Sequence, residues 1–474
     1  MKRTYREFLS QKSFKNLLAF IAGPVLSAVL SILLVPIITR LVIPQEVGKA
    51  SMYNLFFSFS LLLTLGAIDQ AFAREFYSTK DKSYLIWNSY LVSLFFFVIF
   101  AFIFFNWRYS IILFLFNDFS KNIFIILLSS IFWGVIHRFN LLAVRFRERG
   151  KEYLILLVLR QIFRIILIPL FIVIFKRGYL GIIYGEYAAL LLITIFSFVF
   201  VKHIWKFSPI RRMDRTLISK LLRYSMPLFP ATLLFWSMQW VDRFSLRIWS
   251  GFEELGLYFA SYKVANIINI VYLGLTAYWI PVAYRWYEQK KPAKYYVSSL
   301  NIVFLIMTLL ATLVISFRNF IVYILGENYY ASSQIVPYLV LMPVFLSFAE
   351  VGGIGINLSR KTFLQSIITF VVIILNLGGN YLLVPIYGAK GAAISTAFSY
   401  TVFFILRYHV SENVVKLYNS AIKTFIYILI LWSLPLFTNI PSSLVQYIFY
   451  SVVVTFLFIY NYRFLKNFLQ TLQE

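Results

Sequence analysis

The sequence predicts an all-α polytopic membrane protein of about 14 transmembrane helices: two six-helix lobes related by a parallel repeat, then two C-terminal helices. Three observations predict this class: the composition, the recurrence of long apolar runs, and two motifs that return at a nearly constant offset. Of the 474 residues, 61% are hydrophobic and 13% are charged, whereas soluble domains have about 25% charged residues. A chain with this composition has more apolar side chains than a water-soluble core can bury.

The apolar runs have the length of membrane-spanning helices, for which about 20 residues are needed. Long uninterrupted runs also favour helices over the short alternating strands of a barrel. The predicted spans are 16–40, 51–68, 83–105, 122–143, 152–175, 179–201, 224–248, 255–283, 295–316, 335–358, 362–384, 389–409, 421–437 and 443–462. The segment 421–437 is the shortest of them.

Lysine and arginine are distributed unevenly among the connections. Alternate connections, beginning with the N-terminal tail, contain or adjoin 31 of the 44 basic residues; the intervening ones have 9, and 4 lie inside spans. Basic residues concentrate on the cytoplasmic side of membrane proteins, so both termini are predicted to be cytoplasmic. The net charge of +26 is therefore a topology signal with some attraction to anionic lipid heads, and no nucleic-acid partner is expected.

Two short motifs indicate an internal repeat. The segment Glu46–Gly48 is matched by Glu254–Gly256 at an offset of 208, and a glycine-rich segment that starts at Gly178 is matched by one that starts at Gly388 at an offset of 210. Six spans in each half give both halves one orientation, which is the parallel repeat found in some transporters.

The predicted organisation follows from the spans and the repeat. It comprises a cytoplasmic basic tail (1–15), an N-terminal six-helix lobe (16–204), a cytoplasmic basic linker (205–223), a C-terminal six-helix lobe (224–410) and two extra helices with a cytoplasmic tail (411–474).

Charged residues inside the predicted spans are the candidate functional residues. Arg160 and Arg164 lie on one face of span 5, roughly 13 and 20 Å from its cytoplasmic end at 1.5 Å per residue. Intramembrane ions generally face a protein interior or a watery cavity, because each costs about 2.5–3.5 kcal/mol in hydrocarbon. Two interpretations stay open: a structural ion pair with an acid from another helix, or a cationic patch that binds an anion.

The second half supplies further cations, Arg243 in span 7 and Lys263 in span 8. If the halves enclose a cavity, it is lined with cations from both sides, and guanidinium groups bind phosphate bidentately. A phosphate or diphosphate is therefore the predicted ligand. Three acids in the spans could balance these charges or carry protons: Glu186, Asp242 and Glu350. No cysteine is present and the three histidines are scattered, so no metal or other cofactor is expected.

The order of motifs near the N-terminus resembles the Wzx-type polysaccharide flippases, within the MATE-like (MOP) exporter superfamily. The resemblance rests on "LSILLVPIITRLVIPQEVGKASMYN" and "LLTLGAIDQAFAREFYS", and is supported by "RYSMPLFPATL" and "VPIYGAKGAAISTAFSY". It covers the chain to about residue 410. The residues that match the family pattern are Arg40, Leu41, Pro44, Glu46, Gly48, Leu65, Gly66, Asp69 and Ala71, with Arg74 following.

The resemblance implies a fold and an activity. Members have fourteen helices in two lobes around a cationic cavity, and they move an undecaprenyl-diphosphate-linked oligosaccharide to the outer leaflet of a bacterial inner membrane. Lipopolysaccharide or capsule synthesis and contact with polymerase machinery are implied with it. No catalytic motif carries over, and gating or folding roles are implied for Arg40, Gly48, Gly66, Asp69 and Arg74.

Two other functions remain alternatives. A multidrug exporter of the same fold would handle organic cations, which the four buried basic residues disfavour. A membrane sugar polymerase or ligase would need a sizeable outside loop, and the outside connections are all under twenty residues. The absence of a P-loop motif argues against direct use of ATP.

Overall fold

A computed structural model describes residues 11–175, 178–205, 213–359, 361–415 and 421–473. Throughout these ranges the regular structure is helical, and the predicted class of all-α polytopic membrane protein is confirmed. The chain divides into two units, Met1–Trp236 and Ser237–Glu474.

The helices of the first unit begin with α1, and α9 continues into the second unit. They are α1 Gln11–Leu41, α2 Pro44–Leu65, α3 Ile68–Glu75, α4 Lys82–Asn106, α5 Arg108–Phe116, α6 Lys121–Phe146, α7 Gly150–Phe175, α8 Gly178–Val201 and α9 Arg215–Trp249.

The second unit contains the end of α9, eight further α-helices and one 3₁₀ helix. They are α10 Phe252–Glu288, α11 Lys294–Ser316, α12 Arg318–Leu325, the 3₁₀ helix Glu327–Gln334, α13 Val336–Gly352, α14 Ile354–Leu358, α15 Thr362–Val415, α16 Ala421–Phe437 and α17 Ser443–Gln473.

Within the described ranges, nine helices are long and apolar enough to cross a membrane, and two bent pairs raise the number to eleven. The other predicted spans differ for identifiable reasons. Helix α15 contains two of them, because its helical geometry breaks at Gly388 (φ 54°, ψ −132°). Helix α9 covers the span 224–248, where Pro, Ser, Thr and Gln lower the hydropathy, and the apolar part of α16, Ile422–Phe437, is short.

One bent pair is formed by α2 and α3, whose axes differ by 52°. Gly66 ends α2 in the left-handed conformation (φ 52°), and a Cβ there would lie 2.8 Å from the ring of Phe96. Glycine adopts this conformation without the penalty that other residues incur. The family-motif residue Gly66 is thus where the second predicted span changes direction.

Helices α7 and α8 of the first unit pack unusually closely. A Cβ on Gly181 would lie 2.5 Å from Cα of Ile172, and one on Gly185 would lie 2.6 Å from Cα of Ile168. Two glycines four residues apart let helix backbones approach in this way. The close approach fixes the helical face on which charged residues of the two helices meet.

In the second unit, the two arms of α15 fold back on each other at Gly388. Ser395 donates a 2.8 Å hydrogen bond to the carbonyl of Asn376, and a Cβ on Gly379 would lie 2.4 Å from Ser395 Oγ. The predicted spans 11 and 12 are therefore adjacent antiparallel segments. They carry Asn380 and Thr396, two of the three side chains that donate to Asp242.

The two C-terminal helices pack on the rest of the second unit through buried polar contacts. Arg318, which is 4% exposed, donates a 2.7 Å hydrogen bond to Gln446 of α17, and Asn461 of α17 donates to the Tyr427 hydroxyl of α16 at 2.9 Å. Buried polar groups of this kind are costly to leave unpaired. The first contact attaches α17 to the rest of the unit, and the second joins α17 to α16.

Candidate functional site

Arg164 of the first unit is held in a bidentate ion pair. Its Nε donates to Glu186 Oε2 at 2.8 Å and its Nη2 donates to Oε1 at 2.5 Å. A third N–H donates to Gln161, which donates in turn to Ser27 of α1. Glu186 follows Gly185 directly, so the close α7–α8 packing brings the carboxylate to Arg164. This is the first of the two interpretations left open by the sequence.

Arg160 lies one turn before Arg164 and has different surroundings. It is half-buried, and within the described residues no carboxylate lies within ion-pairing distance of it. Its electrostatic neighbours are Arg164, Glu186 and Tyr53. The Glu186 carboxylate forms its ion pair with Arg164 and is an electrostatic neighbour of Arg160.

Several polar side chains near Arg160 were not predicted from the sequence. The Tyr53 hydroxyl and Ser130 Oγ are 2.7 Å apart, and both residues are buried. The buried His137 is an electrostatic neighbour of Arg160, and its Nδ1 has no hydrogen-bond partner in the described part of the chain. Tyr, Ser and His in an apolar run give no charge signal, which is why the sequence did not identify them.

The family-motif residue Asp69 is paired with Arg138 of α6. Nε and Nη2 of Arg138 both donate to Asp69 Oδ2, at 3.0 and 2.7 Å. Arg74 lies over the ring of Tyr224, 5.6 Å from its centroid. Both contacts lie at the end of the first unit that carries the α3–α4 turn.

The remaining motif residues lie at helix ends. Arg40 is in the last turn of α1, and Gly48 is buried near the start of α2, where its carbonyl accepts a 2.7 Å hydrogen bond from Ser51. Their proposed gating or folding role remains a prediction.

Asp242 of the second unit is a buried carboxylate held by neutral donors. It is 4% exposed. Its Oδ2 accepts hydrogen bonds of 2.6 Å from the hydroxyls of Tyr258 and Thr396, and its Oδ1 accepts one of 2.9 Å from Asn380. Asn376 extends the network through Asn380. The carboxylate thus accepts from two hydroxyls and one amide N–H, and among the described residues none of its hydrogen-bond partners is Lys or Arg.

Arg243, the next residue, points to the aromatic face of α10 as expected for neighbours about 100° apart on a helix. Its guanidinium lies 5.3 Å from the centroid of Tyr262 and 6.0 Å from that of Phe259. The Lys263 ammonium lies 5.4 Å from the Phe259 centroid. The two predicted cations of the second unit therefore share one aromatic surface.

Glu350 is paired with a residue that the sequence analysis did not select. Arg407, 2% exposed, donates from Nη1 to Glu350 Oε2 at 3.3 Å, and its Nε and Nη2 lack partners within the described ranges. A Cβ on Gly353 would lie 2.7 Å from Arg407 Nε, so the glycine break after α13 makes room for the guanidinium. Arg407 was missed because it lies in the last turn of a predicted span, where basic residues are common.

The structure thus groups the predicted site residues into three clusters. Arg160, Arg164 and Glu186 meet in the first unit. In the second unit Asp242 and Arg243 lie near Tyr262, while Glu350 pairs with Arg407. The tyrosines Tyr400 and Tyr272 interact electrostatically with these last two clusters, Tyr400 with Asp242 and Tyr272 with Glu350.

This helical fold is that of the MOP transporters. The structure is similar to a lipid II flippase, MurJ, in an inward closed conformation (TM-score 0.66, 14% identity, 94% of this chain and 99% of that one). It is also similar to an inward-facing multidrug resistance MATE family transporter (TM-score 0.64, 17% identity, 83% and 96%). A third similar structure is a MOP superfamily transporter from Pyrococcus furiosus, described as having a binding pocket of reversed polarity (TM-score 0.58, 17% identity, 86% and 97%).

The chain belongs to the family described as polysaccharide biosynthesis protein, whose model matches residues 13–286. This confirms the family resemblance drawn from the sequence. A curated relative, an uncharacterized membrane protein of Methanocaldococcus jannaschii, is 27% identical over 253 residues, which are 52% of this chain. The chain spans about half the length of that relative.

Proposed function

We propose that the protein is a flippase that transfers an undecaprenyl-diphosphate-linked oligosaccharide from the cytoplasmic to the outer leaflet of a bacterial inner membrane. The environment of Arg160 is the observation on which this proposal depends. Arg160 is an intramembrane guanidinium with no carboxylate partner among the described residues, in a chain of the polysaccharide biosynthesis family. Such a cation is expensive unless it meets water or an anion.

The physical task explains why cations are useful. A diphosphate and its sugars cannot enter hydrocarbon unaided, whereas the lipid chain can remain in the bilayer. Arg160, Arg164, Arg243 and Lys263 are proposed to replace water around the diphosphate during transfer, with Arg160 as the principal ligand. Transfer then requires a ligand-dependent shift between inward-open and outward-open states and no covalent chemistry.

Asp242 is proposed as the acid that couples transfer to an ion gradient. The three donors around its carboxylate are neutral, so a proton or a small monovalent cation could join them without displacing an arginine. Glu350 and Glu186, which are already paired with arginines, are proposed to balance charge.

Location and partners follow from the same proposal. The positive-inside bias predicts that both termini are cytoplasmic. The expected partners are the lipid-linked oligosaccharide, membrane lipid and the polysaccharide polymerase machinery that would use the transferred units.

The direct test is leaflet transfer of a fluorescent undecaprenyl-diphosphate oligosaccharide in proteoliposomes. We expect transfer by the native chain, its loss in folded Arg160→Ala, and native transfer in Arg285→Ala, a matched change of an exposed arginine at the end of α10. Undiminished transfer in Arg160→Ala would make Arg160 structural and remove the basis for the site.

An exporter of organic cations is the second candidate, and the buried carboxylate of Asp242 favours it. No transfer of the lipid by folded native protein, together with uptake of a fluorescent organic cation that Asp242→Asn abolishes, would support this function over the flippase. A polymerase or ligase would instead extend the oligosaccharide, which product analysis of the same proteoliposomes would reveal.

A further inference from the structure

A cavity of about 430 Å³ in the first unit has no part in the arginine cluster described above. Its lining consists of Phe20, Pro24, Tyr77, Arg145, Phe146 and Tyr153. These residues come from α1, the α3–α4 turn, the end of α6 and the first turn of α7. The charge distribution of the sequence predicts that this end of the unit faces the cytoplasm.

Aromatic side chains form two walls of this cavity. Phe20 and Tyr153 form one pair, with ring centroids 5.5 Å apart, and Tyr77 and Phe146 form the other at 6.3 Å. The Tyr77 hydroxyl donates a 2.9 Å hydrogen bond to the Phe146 carbonyl. Tyr77 is therefore held in place although 65% of it is exposed, and its ring is a fixed, accessible surface.

Arg145 supplies the positive charge of the cavity. It is exposed, and none of the ion pairs that join described residues of this region includes it, whereas the nearby Arg138 and Arg149 pair with Asp69 and Glu152. A basic residue in the last turn of a helix is favourable in itself. That general effect does not explain why two pairs of aromatic rings border an open cavity beside it.

The aromatic walls and the positive charge together restrict the chemical class of ligand that this cavity can bind. Ligand cavities commonly measure about 300–1,000 Å³ and combine aromatic walls with a few polar groups. The electron-rich faces of aromatic rings attract the C–H edges of a sugar ring, and a guanidinium binds phosphate through paired N–H donors. An acyl chain would leave Arg145 unused, and inorganic phosphate would leave the rings unused.

We propose that this cavity recognises a glycosyl phosphate: the sugar next to the diphosphate packs on Tyr77 and Phe146, and a phosphate oxygen binds Arg145. The inference rests on the proposed function and deepens it, because it assigns a docking site for the sugar–phosphate end before transfer. The site would select lipids that carry a sugar over lipids that carry a bare diphosphate.

A single engineered thiol can test this, because the chain has no cysteine. Pro24→Cys places a thiol on the cavity wall and leaves the four rings and Arg145 unchanged, and Leu41→Cys places a control thiol at the other end of α1, where Leu41 is exposed. Maleimide labelling in detergent is measured with farnesyl-diphosphate-linked N-acetylglucosamine and with farnesyl diphosphate alone.

We expect the sugar-bearing probe to slow labelling at Pro24→Cys at least threefold, farnesyl diphosphate to have little effect, and neither probe to slow Leu41→Cys. Adding Tyr77→Ala or Arg145→Gln should abolish the protection, while Tyr77→Phe, which retains the ring, should preserve it. Three results would overturn the proposal. The first is equal protection by both probes, and the second is protection that survives Tyr77→Ala and Arg145→Gln. The third is a Pro24→Cys thiol that is unprotected or does not label.

The outcomes separate this inference from the flippase proposal. Transfer by the native chain without sugar-dependent protection would reject the cavity and leave the function standing. Sugar-dependent protection in a folded chain that does not transfer the lipid would reject the flippase and keep a glycosyl phosphate site.

Discussion

Glu254 accepts a 2.7 Å hydrogen bond from the backbone N–H of Ala389. The same contact occurs in the first unit, where Glu46 accepts a 3.1 Å hydrogen bond from the N–H of Tyr179. The four residues belong to the motifs that repeat in the sequence at offsets of 208 and 210. Each pair of motifs meets in its own unit, and a carboxylate binds the amino end of a helical segment, where negative charge is favourable.

Two glycines that precede these amides provide a matched stability test. Gly388 has φ of 54°, and a Cβ there would lie 2.4 Å from Glu254 Oε2; a Cβ on Gly178 would lie 2.8 Å from a Val42 methyl group. Sparsely populated positive-φ conformations of this kind cost residues other than glycine about 1–3 kcal/mol. We expect Gly388→Ala to lower the thermal unfolding midpoint clearly more than Gly178→Ala. Equal effects would show that the conformation at Gly388 is not required.

The class of fold could be predicted from the sequence, because apolar composition and span length are patterns that hydrocarbon enforces. The parallel repeat of the two lobes and the orientation of the termini stay predictions. The hydrogen bond between Glu254 and the Ala389 N–H could not be predicted, because it depends on which helix ends are adjacent.

The candidate site could be predicted only in part. The charges of Arg160, Arg164 and Glu186 stand out in apolar runs, but the choice of Arg164 as the partner of Glu186 depends on the close packing of α7 on α8. The donors to Asp242 were missed entirely, because residues such as Tyr258 and Thr396 are ordinary in a membrane helix until their hydroxyls are known to point at a carboxylate.

The Arg164–Glu186 pair predicts non-additive effects on stability. Both side chains are largely buried, at 17% and 11% exposure, and removal of one partner from a buried pair typically costs about 3–5 kcal/mol because the other charge is left uncompensated. We expect Arg164→Ala to lower the unfolding midpoint in detergent, and Arg164→Ala combined with Glu186→Ala to restore much of it. Additive losses would contradict a direct pair.

Arg160 is expected to affect transfer with little effect on stability. Loss of one hydrogen bond to a charged group, worth about 1.5–3 kcal/mol, predicts a roughly 10- to 100-fold fall in transfer for Arg160→Gln. Arg160→Lys keeps the charge and loses the planar fork, so it should retain an intermediate rate. The measurement is the initial rate of transfer in proteoliposomes, together with the unfolding midpoint of each variant. Unchanged transfer by an Arg160→Gln protein of lowered unfolding midpoint would show that Arg160 is a structural residue.

Asp214, before the first turn of α9, predicts a pH-dependent contribution to stability. Hydrogen bonds from the Thr216 hydroxyl and the Tyr84 hydroxyl, and from the Thr216 backbone N–H, lower the pKa of Asp214 to about 2 from an ordinary 3.8. The stabilisation is therefore complete above the ordinary pKa and is lost as the pH falls through about 2. We expect Asp214→Asn to unfold at a lower temperature than native protein at pH 6, with the difference shrinking below pH 4. A difference that does not change with pH would exclude this role.

Replacement of Asp242 tests whether lipid transfer is coupled to an ion gradient. If the Asp242 carboxylate carries a proton or a small cation, Asp242→Asn removes the exchangeable charge and keeps a polar side chain of similar shape. We expect this variant to lose most of the stimulation of lipid transfer by an imposed proton or sodium gradient, while transfer without a gradient continues. Thr396→Val, which removes one 2.6 Å hydrogen bond to the carboxylate and leaves the charge, should weaken the stimulation without abolishing it. Full stimulation of transfer in Asp242→Asn would show that the buried network is structural, because a site with no ionisable group cannot exchange a proton. Coupling would then have to involve Glu350 or Glu186, and each of these carboxylates would first have to separate from its arginine.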